Sequence, residues 1–238
     1  MLYRNHLQMV FQDSFDAVDP RLSAEQIVSE PLYNFFRLSR SEIDQRVLEL
    51  LKRVGIDESE KGKFPQQFSG GQLQRICISR SLAADPQLLV LDEPLSSLDV
   101  SVQAQILNLL NDLKEEYGLS YILISHDLEA VYYLADAIAV MYGGRIMEQI
   151  DEMEKFHQMV HPYTLRLLSS TSAYRHRFDA AFVHGNETKE IAADDMAMME
   201  IDTGCPYRSR CPLSSELCRE APRLRMLAEN HWVACHHR

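Results

Sequence analysis

The sequence predicts an α/β fold organised around a parallel sheet, and three observations support this prediction. Leu88–Leu91 and Tyr121–Ser125 are short, continuously apolar runs, the pattern of strands that are buried on both faces. A segment with helical periodicity lies between the two runs. Asp92 and Glu93 directly follow the first run, and open α/β sheets bind ligands at the carboxyl ends of their strands.

Composition argues against several classes of protein. A chain of 238 residues fits one large or two small domains. The net charge of −11 argues against a dedicated nucleic-acid binder, which carries a basic face. No run approaches the roughly 18 apolar residues of a membrane span, and the first residues do not have the pattern of a signal peptide. We therefore expect a cytoplasmic protein.

The N-terminal third predicts one strand followed by helices. Leu7–Gln12 is expected to form a strand that ends at Gln12. Residues 22–82 have a helical pattern, with capping-box sequences that begin at Ser23 and Ser39. Gly55 is expected to end the second helix, whose apolar positions are assigned to the core.

A turn of small residues precedes the third predicted helix. Ser69-Gly70-Gly71-Gln72 contains two glycines, which let backbone N–H groups approach a ligand. The N-terminus of the helix that follows carries a partial positive charge and unpaired N–H groups, which favour an anion such as phosphate. Further along the chain, Asp99 is expected to cap a helix that ends at Gly118, and a hairpin is expected about Gly143-Gly144.

The order of these segments resembles that of the ATP-binding cassette (ABC) ATPases. S-G-G-Q at residue 69 is similar to the family's signature turn, L-L-V-L-D-E-P at residue 88 to its Walker B strand, and S-S-L-D at residue 96 to its D-loop. The resemblance implies a partial P-loop NTPase core with a helical subdomain over residues 1–150. A small C-terminal extension that contains cysteines is expected over residues 151–238.

The resemblance also implies roles for individual residues in ATP hydrolysis. Asp92 would hold Mg²⁺, Glu93 would polarise the attacking water, and His126 would contact the γ-phosphate. Gln12, at the family's Q-loop, would touch both the Mg²⁺ and the water. Asp99 would lie between the two nucleotide sites of a dimer. The signature turn would act on ATP bound to a partner ATPase subunit, and its residues are Ser69, Gly70, Gly71 and Gln72.

The sequence lacks the family's phosphate-binding loop, G-x-x-x-x-G-K-[ST]. Only Lys63 follows a glycine, and Phe64 comes after it in place of Ser or Thr. The loop and its strand, expected beside Leu88–Leu91, would then precede Met1. We therefore expect the 238-residue chain alone to bind ATP poorly and hydrolyse it negligibly. Three explanations stay open: a truncated reading of a longer gene, half of a split subunit, and a decayed remnant.

The C-terminal part resembles the extension of oligopeptide, dipeptide and nickel importer ATPases. It contains H-P-Y-T at residue 161 and the cysteine spacing C-x₅-C-x₆-C-x₁₆-C. Four thiolates can ligate a [4Fe–4S] cluster or zinc, and the Cys-Pro steps without closely spaced cysteine pairs favour the cluster. Zinc, and free or oxidised thiols, are the alternatives. The four residues are Cys205, Cys211, Cys218 and Cys235.

Two further expectations concern the tail. His231, His236 and His237 are expected to be solvated neighbours of the cysteines and not metal ligands. Residues 169–203 depart from the family pattern, and their acidic, methionine-rich sequence predicts a mobile linker.

Together these features predict the ATP-hydrolysing subunit of a peptide or nickel importer, with ATP and Mg²⁺ as cofactors. The expected partners are a second ABC ATPase subunit (homo- or heterodimer), two membrane permease subunits and, indirectly, an extracytoplasmic substrate-binding protein, with no nucleic acid. The expected location is peripheral, at the cytoplasmic face of the inner membrane. One alternative is a soluble cassette protein that acts on ribosomes or in DNA repair. Another is a non-catalytic interaction module or remnant that only supplies the signature turn to a partner ATPase.

Overall fold

A computed structural model describes residues 5–170 and 204–238 and divides the chain into two compact units. The first unit comprises Met1–Leu134 and the second Ala135–Arg238. The division therefore lies before the predicted hairpin, whereas the sequence-based boundary lies after it, at residue 150. The reason is that the second strand of the hairpin pairs with a strand near the C-terminus. The predicted linker over residues 169–203 lies outside the described residues from residue 171 onward.

The first unit contains a parallel sheet of three strands, whose order is β1-β2-β3. The strands are β1 (Leu7–Val10), β2 (Leu88–Asp92) and β3 (Ser120–Ile124). Because β2 pairs with β1 on one side and with β3 on the other, both of its hydrogen-bonding edges are occupied. The expectation that a further strand lies beside β2 is therefore wrong.

The first unit contains five described helices, and sequence signals predicted the starts of the first four and the ends of two. They are α1 (Ala24–Phe35), α2 (Arg40–Arg53), α3 (Gly70–Leu82), α4 (Val100–Tyr117) and α5 (Leu128–Leu134). The predicted capping boxes at Ser23 and Ser39 are confirmed, because each side chain accepts from the N3 backbone N–H and receives the reciprocal bond. Gly55 has a φ of +75° directly after α2, and Gly118, at +61°, ends α4.

Only one face of the parallel sheet is covered by helices. Leu89 and Leu91 are fully buried in the core of the unit. On the opposite face, Leu7 is 51 % exposed, Ile122 50 % and Ile124 47 %. The prediction of strands buried on both faces is therefore wrong, since successive side chains alternate and only one set packs against helices.

The second unit is built on an antiparallel sheet of four strands in the order β4-β5-β7-β6. The strands are β4 (Ile138–Tyr142), β5 (Arg145–Ile150), β6 (Arg225–Ala228) and β7 (His231–Val233). The helix α6 (Pro162–Ser170) follows the first two strands. The predicted hairpin is confirmed: Gly143 and Gly144 have φ values of +56° and +74°, as a type I′ turn requires. Among the helices that the structure describes, none combines the length and apolar character needed to cross a membrane.

A buried carboxylate ties the start of α6 to this sheet. Glu148 is fully buried and accepts backbone N–H bonds from Val160 at 2.7 Å and from His161 at 3.1 Å. Its Oε1 also lies 2.8 Å from His231 Nε2. The expectation that His231 is solvated is therefore wrong, because its side chain is only 3 % exposed and is paired with Glu148. Burial also lowers the pKa of the neighbouring His161 to about 4.

Candidate functional site

The parallel sheet brings four predicted site residues to one edge. Val10 of β1 is in register with Leu91 of β2, and Gln12 follows two residues later. Asp92 ends β2 and is in register with the last residue of β3, which His126 follows two residues later. Because parallel strands share a direction, these residues and Glu93 all lie at the carboxyl edge of the sheet.

Glu93 and His126 form a direct contact at this edge. The Nδ1 atom of His126 lies 2.9 Å from Oε1 and 2.8 Å from Oε2 of Glu93. The hydrogen bond to Glu93 is the main cause that raises the pKa of His126, and the attraction between the two charges adds to it. The His126 side chain is 77 % exposed and the Glu93 side chain 20 % exposed. The imidazole is therefore mostly exposed to solvent, whereas the carboxylate that it contacts is mostly buried.

The backbone of Glu93 adopts an uncommon conformation. Its φ is +46°, a left-handed value that costs a non-glycine residue on the order of 1–3 kcal/mol and occurs often at functional sites. The Glu93 N–H donates to the carbonyl oxygen of Ile124 at 2.9 Å, which anchors the residue to the end of β3. The carboxylate is therefore fixed from its backbone as well as by the imidazole of His126.

The signature turn forms the N-terminus of α3. The Oγ of Ser69 accepts the Gln72 N–H at 3.3 Å, and the Ser69 N–H donates to Gln72 Oε1 at 3.1 Å. Gly70 is exposed, and a Cβ atom there would lie 3.5 Å from the nearest side-chain atom. Gly71 is buried, and a Cβ atom there would lie 2.4 Å from Val102 Cγ1 of α4. Only Gly70 thus presents open backbone, whereas Gly71 permits close packing of two helices.

Asp99 occupies the N-cap position of α4, as predicted, but its carboxylate makes no capping hydrogen bond. The backbone carbonyl of Asp99 accepts from Val102 at 2.8 Å and from Gln103 at 2.9 Å. The exposed Asp99 side chain is therefore not engaged as a cap.

These residues have the chemistry that ATP and Mg²⁺ require. Asp92 and Gln12 offer oxygen atoms, which Mg²⁺ prefers, at the sheet edge. Glu93 presents a fixed carboxylate next to them, and the exposed start of α3 presents N–H groups that suit phosphate.

The four C-terminal cysteines are neighbours in the second unit and carry free thiols. Cys205 and Cys218 are packed in one apolar cluster, with Cys211 against it. Burial raises the pKa of the Cys205 and Cys211 thiols, and the charges of the other cysteines, including Cys235, raise it further. The cysteines therefore lie within electrostatic reach of one another.

A glycine lets two of these cysteine segments meet. The Cys205 N–H donates to the Cys218 carbonyl oxygen at 3.0 Å. A Cβ atom on Gly204 would lie 2.5 Å from that same oxygen, so only glycine fits. Within residues 5–170 and 204–238, no group of three or more His, Cys, Asp or Glu side chains is arranged to hold a metal ion.

Two features of the second unit were missed by the sequence-based prediction. Glu148 gave no signal, because a single glutamate in a strand pattern reads as a solvent-facing residue. His237 is exposed, as expected for a solvated neighbour of the cysteines, and the contact that was missed is that of its Nε2, which lies 3.8 Å from Cys218 Sγ. The only signal for His237 is that it lies two residues after Cys235.

Family models match both parts of the chain. The model of the ABC transporter family matches residues 1–96, and the model of the oligopeptide/dipeptide transporter C-terminal region matches residues 147–218.

Curated relatives match almost the whole chain. The oligopeptide transport ATP-binding protein AppF of Bacillus subtilis is 40 % identical over 98 % of the chain and 70 % of its own length. The di/tripeptide transport ATP-binding protein DppF of Pseudomonas aeruginosa is 39 % identical over 98 % of the chain and 71 % of its own length. The oligopeptide transport ATP-binding protein OppF of Escherichia coli is 36 % identical over 98 % of the chain and 69 % of its own length.

Solved structures agree with these matches. The ATP-binding cassette MJ0796, in a dimeric post-hydrolysis state bound to ADP and Pi, superimposes with a TM-score of 0.55 at 32 % identity, covering 61 % of this chain and 63 % of its own. CbiO1 from Clostridium perfringens, part of the ABC transporter complex cbiONQ, gives a TM-score of 0.59 at 34 % identity. The match covers 69 % of this chain and 64 % of the CbiO1 chain. The α/β fold of an ABC ATPase is thereby confirmed.

Proposed function

Because the chain belongs to the ATP-binding proteins of oligopeptide and dipeptide ABC transporters, we propose that it energises peptide import through ATP binding and hydrolysis. The observation that carries this proposal is the Glu93–His126 contact at the carboxyl edge of the parallel sheet. A carboxylate held at a fixed place beside a Mg²⁺ ligand is what activation of an attacking water requires.

Each residue at the sheet edge has a distinct role in this proposal. Asp92 and Gln12 hold Mg²⁺, which neutralises charge on the phosphates. Glu93 orients and polarises the water, and His126 holds the Glu93 carboxylate while its exposed ring faces the γ-phosphate. The strained backbone of Glu93 supports this assignment, because strain persists where the surrounding structure fixes a functional group.

The signature turn serves a second ATPase subunit. Ser69, Gly70 and Gln72 lie at an exposed helix start whose side chains are already ordered by the capping box. The free carboxylate of Asp99 lies on the same unit and is available to a partner chain. We assign the chain to a homo- or heterodimer that is peripheral to the inner membrane and acts on two permease subunits, with a substrate-binding protein delivering the cargo.

The proposed cargo is a peptide. The names of AppF, DppF and OppF all specify peptide transport, which supports peptides over nickel. The four cysteines are proposed to hold a [4Fe–4S] cluster, or zinc as the alternative. Four free, neighbouring thiols have the donor chemistry for either group, and Cys205, Cys211, Cys218 and Cys235 would be the ligands.

A second candidate function is supply of the signature turn alone. The complete and exposed start of α3 favours this alternative, in which a partner ATPase hydrolyses the ATP. The two functions differ in their dependence on Glu93. Replacement of Glu93 abolishes hydrolysis only if this chain carries a catalytic site, whereas disruption of Ser69 reduces hydrolysis under either function.

The test is ATP-driven uptake into proteoliposomes that contain the transporter assembled with this chain. Radiolabelled oligopeptide is expected to accumulate when ATP is present on the ATPase side, and ⁶³Ni²⁺ is not. Glu154→Gln, which removes an exposed carboxylate of the second unit, serves as the matched control for replacement of Glu93 by glutamine. Accumulation of ⁶³Ni²⁺ without peptide would overturn the choice of cargo, and absence of any ATP-driven uptake would overturn the transport function.

A further inference from the structure

One face of α3 is attached to the segment from Met9 to Ala17 that contains Gln12 (the Gln12 segment). Arg80 Nη1 donates to the carbonyl oxygen of Ala17 at 2.7 Å. Ser81 Oγ lies 3.3 Å from the carbonyl oxygen of Met9, within hydrogen-bond distance. Since Met9 precedes Gln12 and Ala17 follows it, α3 contacts the segment on both sides of Gln12.

The middle of the Gln12 segment is held by a buried contact between two side chains. Ser14 Oγ donates to Gln74 Oε1, and the two residues are only 8 % and 2 % exposed. Cys77 Sγ also lies 3.7 Å from the carbonyl oxygen of Ser14. Gln74, Cys77 and Ser81 follow the spacing i, i+3, i+7, so they lie on the same face of α3. This face therefore contacts the segment at several points along its length.

A compact turn joins the buried contact to Gln12. Asp13 Oδ1 accepts the N–H of Phe15 at 2.8 Å, and the Asp13 carbonyl oxygen accepts the N–H of Ala17 at 3.1 Å. Asp13 directly follows Gln12, which is exposed at the carboxyl edge of the sheet. The place of Ser14 in this turn therefore limits where Gln12 can lie.

Stability alone does not account for a glutamine at residue 74. The Nε2 atom of Gln74 is buried and has no hydrogen-bond partner within residues 5–170 and 204–238. A buried donor without a partner reduces stability, whereas replacement of both residues of a buried polar pair by apolar ones is often neutral or stabilising. Proteins keep such unfavourable groups mainly at functional sites. A role of Gln74 in function is therefore favoured.

We propose that Gln74 is a positioning residue for ATP hydrolysis, which holds Gln12 in place through Ser14. The inference rests on the ATPase function proposed above, in which Gln12 contributes to the chain's own nucleotide site. The signature turn, which begins at Ser69, is proposed to serve the nucleotide of a partner subunit. Because α3 carries both the signature turn and Gln74, this one helix links the residues that act at two nucleotide sites.

The first measurement concerns the chain without nucleotide. Gln74→Met keeps a side chain of similar size but removes the amide that accepts from Ser14. The Ala17 N–H, which closes the turn after Gln12, is expected to exchange with solvent about 2- to 10-fold faster in this variant, as followed by NMR. Gln45→Met, which replaces an exposed glutamine of α2, is the matched control and is expected to leave this exchange rate unchanged.

The second measurement is single-turnover ATP hydrolysis by the assembled transporter that contains this chain. Gln74→Met is expected to slow hydrolysis about 10- to 100-fold, because small displacements of catalytic groups have effects of this size. Gln45→Met is expected to hydrolyse ATP at the unmodified rate. When Gln12 has already been replaced by alanine, Gln74→Met is expected to slow hydrolysis by no more than about 2-fold, since residues that act as a unit are not additive.

A double variant separates positioning from folding. Ser14→Ala combined with Gln74→Met removes both polar partners, so its stability in urea unfolding is expected to recover relative to Gln74→Met alone. Hydrolysis by the double variant is nevertheless expected to stay about 10- to 100-fold slow, because Gln12 is no longer held. If hydrolysis recovers together with stability, Gln74 has only a structural role.

Two further outcomes overturn the inference. If Glu93→Gln slows hydrolysis while Gln74→Met changes neither hydrolysis nor the exchange of the Ala17 N–H, the role of Gln74 fails and the proposed ATPase function stands. If the unmodified assembly does not hydrolyse ATP, the proposed function fails and the role of Gln74 fails with it.

Discussion

Replacement of Gly71 by alanine tests the close packing of the signature helix against α4. A Cβ atom at residue 71 would lie 2.4 Å from Val102 Cγ1, whereas carbon atoms in favourable contact are about 3.5–4.0 Å apart. Val102 therefore has to move by about 1 Å. It is β-branched and lies in a helix, so its rotamers are restricted and a backbone shift is required.

The magnitude follows from two opposing terms. Overpacking of a core typically costs about 1–3 kcal/mol. Alanine in place of glycine in a helix recovers about 0.5–1 kcal/mol. Gly70→Ala is the matched control, since it gains the same helix propensity and its Cβ atom would lie 3.5 Å from the nearest side-chain atom, Leu98 Cδ2. Gly71→Ala is therefore expected to be about 1–3 kcal/mol less stable than Gly70→Ala.

The assay is urea unfolding followed by far-ultraviolet circular dichroism, with Val102→Ala added to complete a double-mutant cycle. Removal of the two methyl groups makes room for the alanine, so the cycle is expected to give a favourable coupling of about 0.5–3 kcal/mol. If Gly71→Ala is as stable as Gly70→Ala, or if the coupling is zero within error, the packing explanation for Gly71 is refuted.

Three further predictions concern the other contacts described above. Gly204→Ala places a Cβ atom 2.5 Å from the Cys218 carbonyl oxygen and is expected to destabilise the second unit by about 1–3 kcal/mol, measured as the shift in its urea transition; Ser209→Ala is an exposed control. Glu148→Leu removes the partner of His231 and is expected to cost about 3–5 kcal/mol in the same assay, and a loss below 1 kcal/mol would contradict the buried pair. The raised pKa of His126 is expected to fall in Glu93→Gln when followed by ¹H–¹⁵N NMR titration of the imidazole. Because the pKa is raised on folding, protonated His126 contributes to stability below its unfolded pKa and this contribution is lost as the pH rises through the folded pKa; an unchanged pKa in Glu93→Gln would contradict the contact.

Helix boundaries were predictable because their signals are local. Capping boxes at Ser23 and Ser39 and the glycines that end α2 and α4 act through residues three or four positions away. The hairpin at Gly143-Gly144 was predictable for the same reason.

Burial of the sheet was predicted less well because an apolar run does not show which face of the strand packs against helices. Ile122 and Ile124 have the same character as Leu89 and Leu91, yet one pair is exposed and the other is buried. The position of β2 between two strands was also not accessible, since pairing depends on residues far apart in sequence.

The candidate site was predicted through motif order, and the structure adds contacts that motifs do not contain. That Glu93 and His126 touch follows from the pairing of β2 with β3, which no local pattern reveals. That Gly71 packs closely against α4, whereas Gly70 presents open backbone, depends on where α4 lies. The link between His237 and Cys218 requires a chain reversal between the two residues, so their separation in sequence concealed it.

The most direct test of the central claim is single-turnover ATP hydrolysis by the assembled transporter that contains this chain. The assembled transporter is used because the 238-residue chain alone is expected to bind ATP poorly and to hydrolyse it negligibly. Glu93→Gln keeps the size of the side chain but removes its charge, and it is expected to slow hydrolysis about 10²- to 10⁴-fold relative to the unmodified assembly. Glu154→Gln is expected to hydrolyse ATP at the unmodified rate. Hydrolysis at the unmodified rate by Glu93→Gln would contradict the assignment of Glu93 as the residue that activates water, and with it the catalytic role of the chain.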